Sequence, residues 1–264
     1  MKWNWSKIIC SAEITFLFLL YIQIFYKKSS PIIQEVFSTS LYSELSAPSR
    51  DIQEFTTTQK TCYLTFDDGP SENTEKILDI LSRYHAKATF FVVGQNLEED
   101  YTEVMDRIVQ EGHAIGLHAN VHVYEKLYAS KNSFLSDYEC LYKKIKEQYG
   151  IETALFRFPG GSACTYLNGN GKEYIQIMHE RGFYCFDWNV SGEDSVGSPE
   201  VASIQEHVFK DVFRYEEPIV LLHDSSVASK TVDALPQILE KISAQGYVFE
   251  SLEHVEEYIF PANR

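Results

Sequence analysis

Residues 61–70 read TCYLTFDDGP: an apolar run, two adjacent carboxylates, and a Gly-Pro pair that turns the chain. Cys62–Phe66 has the length and composition of a buried β-strand, and Asp67 and Asp68 stand at its end. Successive side chains on a regular strand point to opposite faces, so we expect the two carboxylates to point apart. Their shared position at a strand end raises the question of whether they serve one site.

The pattern that begins with this run continues to the end of the chain. Short apolar runs alternate with longer amphipathic segments, and the runs are Cys62–Phe66, Ala88–Val93, Ala114–Leu117, Ala154–Phe158, Phe183–Val190, Ile219–Leu222 and Tyr247–Phe249. Four of the segments end in a glycine, as expected where a helix ends through a left-handed residue; these are Gly112, Gly150, Gly182 and Gly246. Strands that alternate with helices indicate parallel βα units, and about seven such units over roughly 200 residues predict an α/β barrel. A doubly wound open sheet is the alternative.

The first 28 residues differ from the rest of the chain. The mostly apolar run Ile8–Tyr26 has 19 residues, which as a helix span roughly 28 Å, about one hydrocarbon core. Lys27-Lys28 follows directly, without the small-residue site of a cleaved signal peptide. We therefore predict an N-terminal transmembrane anchor at residues 1–28, a Ser/Thr-rich stalk at residues 29–59 and a folded domain at residues 60–264.

Charge and cysteine content disfavour some classes of partner. The formal net charge is −15, and because residues 1–28 carry four lysines and one glutamate, the rest of the chain carries −18. Such an acidic domain is a poor match for nucleic acid, and a neutral substrate fits better. The cysteines have no C-x-x-C spacing, which argues against a cysteine zinc site.

Polar residues recur at the ends of the predicted strands, where a barrel carries its active site. Besides the two aspartates of the first strand, His118 ends the third, Arg157 ends the fourth, Asp194 follows the fifth and His223 ends the sixth. Because these ends meet at one face of a barrel, we expect the five groups to form one constellation.

His118 and His122 have a spacing that suits a metal. On one helical turn, residues four apart share a face and could bind one ion through neutral imidazoles. Two solvated loop histidines are the alternative, and the H-E-x-x-H motif is excluded because Ala119 stands where it needs glutamate. With one carboxylate from the first strand, two histidines form the open three-ligand site typical of catalytic zinc.

In this order the motifs resemble the polysaccharide deacetylase family, the NodB-homology domain of carbohydrate esterase family 4. The matching stretches are TFDDGP at 65–70, H-x-x-x-H at 118–122, RFPGG at 157–161 and VLLHD at 220–224. YEKLYAS at 124–130 and LFRFPGGS at 155–162 make the chain similar to membrane-anchored peptidoglycan N-acetylglucosamine deacetylases of Gram-positive bacteria.

This resemblance implies a distorted (β/α) barrel and a hydrolase that removes N-acetyl groups from N-acetylglucosamine in cell-wall peptidoglycan. It also implies one divalent metal ion, zinc before cobalt or manganese, and a single-pass cell-membrane protein whose catalytic domain is extracellular. The alternatives are chitin-like oligomers or another acetylated polymer as substrate, and a non-catalytic wall-binding protein on the same fold.

The resemblance further assigns a role to individual residues. It implies that Asp67 is the general base, paired with Arg157, and that His223 is the general acid. The implied metal ligands are Asp68, His118 and His122. The implied contacts to the acetyl group are the Gly160 N–H, which helps hold the oxyanion, and Leu221, which lines the methyl pocket.

Two positions depart from the family pattern. Ala119 replaces the usual Ser or Thr after the first histidine, and the missing hydroxyl would brace the loop that carries the second metal ligand. The aspartate that orients the acid histidine falls on Asp194 by spacing, with Asp187 as the competing assignment, and the tryptophan that usually follows it is Ser195. Trp188 or another aromatic residue would then supply the missing pocket wall.

Overall fold

The structure is a computed structural model that describes residues 45–52, 59–98 and 101–261 of the chain. The predicted anchor and most of the predicted stalk lie outside these residues. Within the described ranges, no helix has both the length and the apolar character needed to cross a membrane. The described residues from Leu45 onward belong to one compact unit.

Eight strands of the described chain form one sheet in which every paired strand is parallel to its neighbour: β1 (Thr61–Gly69), β2 (Ala88–Val93), β3 (Ala114–Ala119), β4 (Leu155–Phe156), β5 (Tyr184–Cys185), β6 (Val190–Ser191), β7 (Ile219–His223) and β8 (Val248–Phe249). The helices between them are α1 (Thr74–Arg83), α2 (Thr102–Gln110), α3 (Tyr124–Leu127), α4 (Lys131–Tyr149), α5 (Gly171–His179), α6 (Val201–Asp211) and α7 (Ser229–Ser243). All four glycines predicted to end helices have positive φ, from 66° to 84°, as a left-handed helix end requires.

The strand order is β5-β4-β3-β2-β1-β7-β6, and β8 pairs with the first residues of β1. After β5 the chain runs to the far edge at β6 and returns towards β1 through β7, so this is the cyclic order of a barrel. Among the described residues, no ladder joins β5 to β6. The α/β fold is confirmed as a half-barrel of seven parallel strands, β1 to β7, which is open between β5 and β6; β8 lies off this path. The doubly wound alternative does not have this strand order.

The opening lies where the sequence predicted one continuous strand, Phe183–Val190. The structure has two short strands there, because Asp187, between them, bonds to the C-terminal segment, while Phe186 still bonds to β4 and Asn189 to β7. The Asp187 N–H donates to the Tyr258 carbonyl oxygen at 2.7 Å, and Phe186 bridges to the same residue. The single-strand prediction is therefore wrong at this position.

Residues 45–52, which belong to the predicted stalk, contact the folded domain. Leu45 is buried, and the Arg50 guanidinium donates to backbone carbonyl oxygens of residues 252, 253 and 255. Beside this segment, a cavity of about 600 Å³ opens at the amino ends of β3 and β4. The predicted site residues on these strands lie at the opposite, carboxyl ends, as a barrel requires.

Candidate active site

Asp67 and Asp68 reach the same point, because β1 is irregular between them. β1 pairs Asp67 with Phe91 and Gly69 with Val92, so Asp68 is an extra residue in the ladder, with φ 72°. Such an irregularity re-aims a side chain. The prediction that the two carboxylates point apart is therefore wrong, since it assumed a regular strand.

A second irregularity presents His118 to both carboxylates. β3 pairs Leu117 with Val92 and Ala119 with Val93, which leaves His118 as the extra residue. The Nε2 atom of His118 lies 3.7 Å from Asp67 Oδ2 and 3.5 Å from Asp68 Oδ1. Both departures from regular pairing thus aim side chains at one place.

The two histidines do not share a helical turn, which corrects that part of the prediction. His118 lies in β3 and His122 in the turn before α3, with ring centroids 5.2 Å apart. His118 Nδ1 lies 3.1 Å from the Arg157 carbonyl oxygen, so Nδ1 is the donor and Nε2 presents its lone pair to the site. His122 Nε2 is 3.4 Å from Asp68 Oδ1.

The donor set fits a divalent metal ion. Asp68 Oδ1 is buried and has no hydrogen-bond partner in the described part of the chain, although it faces two imidazole nitrogens. The ligand atoms of Asp68, His118 and His122 all lie within 4.8 Å of one another. A buried acceptor without a donor is costly unless a cation satisfies it. Carboxylate oxygen and imidazole nitrogen are ligands for zinc, cobalt and manganese, and three protein ligands leave a position open.

A residue that the sequence did not point to braces the loop of the second histidine. Asp137 on α4 accepts hydrogen bonds from the backbone N–H groups of Asn120 (2.6 Å) and Val121 (3.1 Å). Burial raises the pKa of Asp137, and these two bonds oppose that rise. Ala119 is buried beside this loop and offers no hydroxyl. Asp137 therefore holds the loop, and its place inside a helix carries no local signal that could have revealed it.

Arg157 follows β4 directly and is fully buried, and its guanidinium donates four hydrogen bonds. Its Nη1 donates to Asp67 Oδ1 (2.9 Å) and Thr65 Oγ1 (2.7 Å), its Nε to the Phe186 carbonyl (2.7 Å) and its Nη2 to the Asp187 carbonyl (3.2 Å). Burial alone would raise the pKa of Asp67, but the charge of Arg157 and the neighbouring histidines lower it below its ordinary value. Asp67 is therefore an ionised carboxylate at neutral pH.

His223, at the end of β7, is held by Asp194. Its Nδ1 lies 2.8 Å from Asp194 Oδ1, and its backbone N–H and the Thr231 hydroxyl both donate to Asp194 Oδ2, at 2.8 and 2.6 Å. Burial would lower the pKa of His223, but the bond and charge of Asp194, with the charges of Asp67 and Asp68, raise it to about 9. His223 is therefore an imidazolium at neutral pH.

The competing candidate, Asp187, has a different position. Its Oδ1 accepts from the Ser162 N–H at 2.8 Å, and its Oδ2 accepts from the Ser162 hydroxyl at 2.5 Å and the Phe260 N–H at 2.8 Å. It therefore ties the RFPGG loop to the C-terminal segment. The structure places Asp194, and not Asp187, against His223.

The predicted contacts to the acetyl group lie around the same face. Gly160 is exposed with φ 76°, and Leu221 is buried two residues before His223 on β7, so both β7 side chains share a face. Ser195 is exposed. The Trp188 ring is half-buried, and its centroid lies 5.6 Å from the guanidinium carbon of the buried arginine. The structure thus brings the Trp188 ring to the RFPGG loop, 3.0 Å from a Cβ placed on Gly161, and its role as the pocket wall stays a prediction.

Comparison with known proteins gives a consistent family. The polysaccharide deacetylase family matches residues 55–183. A bifunctional xylanase/deacetylase of Pseudobutyrivibrio xylanivorans is 34% identical over 205 residues, 76% of this chain but only 31% of that protein. A peptidoglycan-N-acetylglucosamine deacetylase of Bacillus cereus is 31% identical over 210 residues, 78% of this chain and 73% of that protein.

A solved structure agrees with these relatives. The catalytic domain of a peptidoglycan N-acetylglucosamine deacetylase from Eubacterium rectale superposes with a TM-score of 0.72 and 31% identity, over 83% of this chain and 99% of that one. Because the similarity covers most of this chain and most of the Bacillus cereus and Eubacterium rectale chains, this chain belongs to the polysaccharide deacetylase family, which confirms the resemblance drawn from its motifs.

Proposed function

We propose that this protein is a metal-dependent deacetylase that removes acetyl groups from N-acetylglucosamine residues of peptidoglycan. The observation that carries the proposal is the unpaired buried oxygen of Asp68. It faces the nitrogens of His118 and His122, and its neighbour Asp67, an ionised carboxylate, is paired across β1 and β7 with His223, an imidazolium. The peptidoglycan substrate is supported by the relatives from Bacillus cereus and Eubacterium rectale, which are peptidoglycan N-acetylglucosamine deacetylases.

The chain has a separate group for each proton transfer in amide hydrolysis. A divalent cation held by Asp68, His118 and His122 would supply a Lewis acid for the acetyl carbonyl. Asp67 accepts a proton from the attacking water, and His223 gives a proton to the amine nitrogen as its bond to the acetyl carbon breaks. The products are acetate and a free sugar amine.

Two further groups hold these residues and the developing charge. Arg157 keeps the base ionised, because its guanidinium lies 2.9 Å from Asp67 Oδ1. The Gly160 N–H would donate to the carbonyl oxygen as it becomes negative. Since the pKa of Asp67 is lowered and that of His223 is raised to about 9, both groups have the required protonation state at neutral pH.

Activity is tested on the full 264-residue chain in detergent. A chelator removes bound metal, zinc, cobalt or manganese is restored singly, and acetate release is measured from N-acetylglucosamine oligomers, peptidoglycan and acetylated xylan. We expect metal-restored release from the first two. Release from xylan alone would refute the proposed substrate. The absence of release from every substrate, with peptidoglycan still bound, would favour the non-catalytic wall-binding alternative.

Matched aspartate variants test the division of labour within the pair. Asp67→Asn should abolish acetate release and keep zinc binding, whereas Asp68→Asn should weaken zinc binding itself. Asp233→Asn, exposed on α7, is the control and should change neither property. If the first two variants behave alike, the separate roles of base and ligand are wrong.

The location of the protein is a further part of this proposal. We propose that residues 1–28 anchor the chain in the cell membrane and that the deacetylase domain is extracellular, where peptidoglycan lies. The support is the apolar run Ile8–Tyr26, with lysines on both sides. The full chain should fractionate with membranes, and protease added to protoplasts should digest it. A chain of residues 29–264 alone should show neither behaviour. Recovery of the full chain in the soluble fraction would contradict the anchor.

A further inference from the structure

A second cavity beside the candidate metal site has no role in the proposed hydrolysis. Its volume is about 460 Å³, within the range of roughly 300–1,000 Å³ found for small-molecule pockets. The lining residues are Tyr124, Glu125, Tyr128, Thr165, Tyr166 and Asn168. Two of its tyrosine rings form what we call the aromatic platform, Tyr124 and Tyr166.

The rings of the aromatic platform are held in place. Their centroids are 5.1 Å apart with an angle of 34° between the planes, and the Tyr166 side of the platform is open, with 43% of that residue exposed. The Tyr166 hydroxyl donates to Glu125 Oε1 at 3.0 Å, and Tyr128 packs behind Tyr124 with its hydroxyl on the Pro159 carbonyl at 2.9 Å. Because these contacts already hold the two tyrosine side chains, binding a ligand would cost little side-chain conformational entropy.

The aromatic platform is continuous with the metal site. The Tyr124 ring meets the His122 ring edge to face, with centroids 5.4 Å apart and an angle of 86°. A Cβ placed on Gly160 would lie 3.3 Å from the Tyr124 hydroxyl, so this ring also underlies the backbone proposed to hold the oxyanion. A polymer with one residue at the metal would therefore carry its next residue onto the platform.

We infer that Tyr124 and Tyr166 bind the pyranose ring next to the N-acetylglucosamine that is deacetylated. This inference rests on the proposed function and adds a subsite to it. A pyranose has an apolar C–H face that matches an aromatic face and a hydroxyl rim that matches Thr165, Asn168 and Glu125.

The cavity at the metal site itself, which Asp68 and His122 line, differs in character. It has a volume of about 410 Å³, and its other lining residues are mostly polar, among them Gln95, Asn96 and Ser225. It lacks a pair of stacked rings. The glycan therefore gains its apolar contact on the platform side, which predicts that chain length controls the rate through that side.

The test compares the full-length protein with two variants of Tyr166, on the N-acetylglucosamine dimer and pentamer with zinc restored. In Tyr166→Ala the ratio of kcat/KM on the pentamer to that on the dimer should fall about tenfold, on the order expected for one lost aromatic contact. Tyr166→Phe keeps the ring and should stay close to wild type. Tyr215→Ala, an exposed tyrosine outside both cavities, is the control and should keep the wild-type ratio.

A second measurement needs no turnover. Calorimetric titration of the metal-stripped protein with the pentamer should give an affinity about tenfold weaker for Tyr166→Ala than for wild type or Tyr215→Ala. An unchanged ratio together with unchanged affinity would overturn the subsite, as would a Phe variant as impaired as the Ala variant. If wild type releases no acetate from any substrate, the proposed function fails, and the titration still decides whether the platform binds the sugar.

Discussion

Replacing Asp194 by asparagine removes the charge that holds His223 and keeps the shape of the side chain. The amide oxygen can still accept hydrogen bonds from the His223 backbone N–H and the Thr231 hydroxyl, which now bond to the carboxylate at 2.8 and 2.6 Å. The fold around the site is therefore retained. What changes is the free energy of the imidazolium, which loses the carboxylate at 2.8 Å from its Nδ1.

The size of the effect follows from the pKa of His223. The pKa is about 9 in the folded protein, against an ordinary value of 6.5. Each unit of difference in pKa corresponds to about 1.4 kcal/mol. The net shift corresponds to about 3 kcal/mol of preference for the charged imidazole, because the attraction of Asp194, Asp67 and Asp68 together exceeds the cost of burial. In Asp194→Asn we expect the pKa of His223 to fall well below 9, because burial still opposes the charge and the nearest anion is gone.

Because the folded pKa is raised, the stabilisation is complete below about pH 6.5 and is lost as the pH rises towards 9. The free energy of unfolding of the wild type should therefore fall across this window, and that of the variant should stay flatter. The alkaline limb of kcat/KM should move to lower pH in the variant, since less His223 is protonated to serve as the acid.

NMR titration of the metal-stripped protein measures the pKa directly, and pH profiles of unfolding and of kcat/KM measure its consequences. Asp187→Asn is the matched control, since that buried carboxylate bonds to Ser162 and Phe260 and should leave the pKa of His223 unchanged. An unchanged alkaline limb in Asp194→Asn would refute the acid role of His223. A shift in Asp187→Asn instead would reverse the assignment of the two aspartates.

Three further perturbations test the supports of the site. Arg157→Gln leaves the buried carboxylate of Asp67 without its cation, so unfolding should cost roughly 3–5 kcal/mol less, and the acid limb of kcat/KM should move to higher pH; an unmoved acid limb would contradict the base role. Asp137→Ala removes the brace of the metal-binding loop, and calorimetric zinc affinity should fall about 10–100-fold; equal affinities would show that the loop needs no brace. Gly161→Ala combines φ 77° with a Cβ 2.8 Å from an aromatic ring, whereas Gly150→Ala at φ 66° meets nothing within 4 Å and should cost only about 1–2 kcal/mol; equal losses in thermal unfolding would disprove the crowding at residue 161.

Much of the candidate site could be predicted from local pattern alone. Asp67, His118, Arg157 and His223 each lie at or directly after the carboxyl end of an apolar run, and parallel strands bring such ends together. No knowledge of distant contacts was needed for that step. The strand-end rule works because it depends only on the period and direction of each element.

Local pattern was insufficient wherever a contact joined distant parts of the chain. Asp137 and the hydroxyl of Thr231 act through hydrogen bonds to other elements, and nothing in their own neighbourhood marks them. The same is true of the Tyr138 hydroxyl, which donates to the Arg157 carbonyl at 3.0 Å. The break between β5 and β6 likewise depends on Tyr258, which belongs to the C-terminal segment.

By itself the sequence determined the βα alternation, the helix-ending glycines and the residues gathered at the strand ends, because each of these follows from the spacing of side chains along one segment. Only the tertiary structure decided how Asp67 and Asp68 meet. A regular strand would separate them, and it is the pairing of β1 with β2, irregular at Asp68, that turns both towards His118. That irregularity is a property of two strands in register, and no single stretch of sequence contains it.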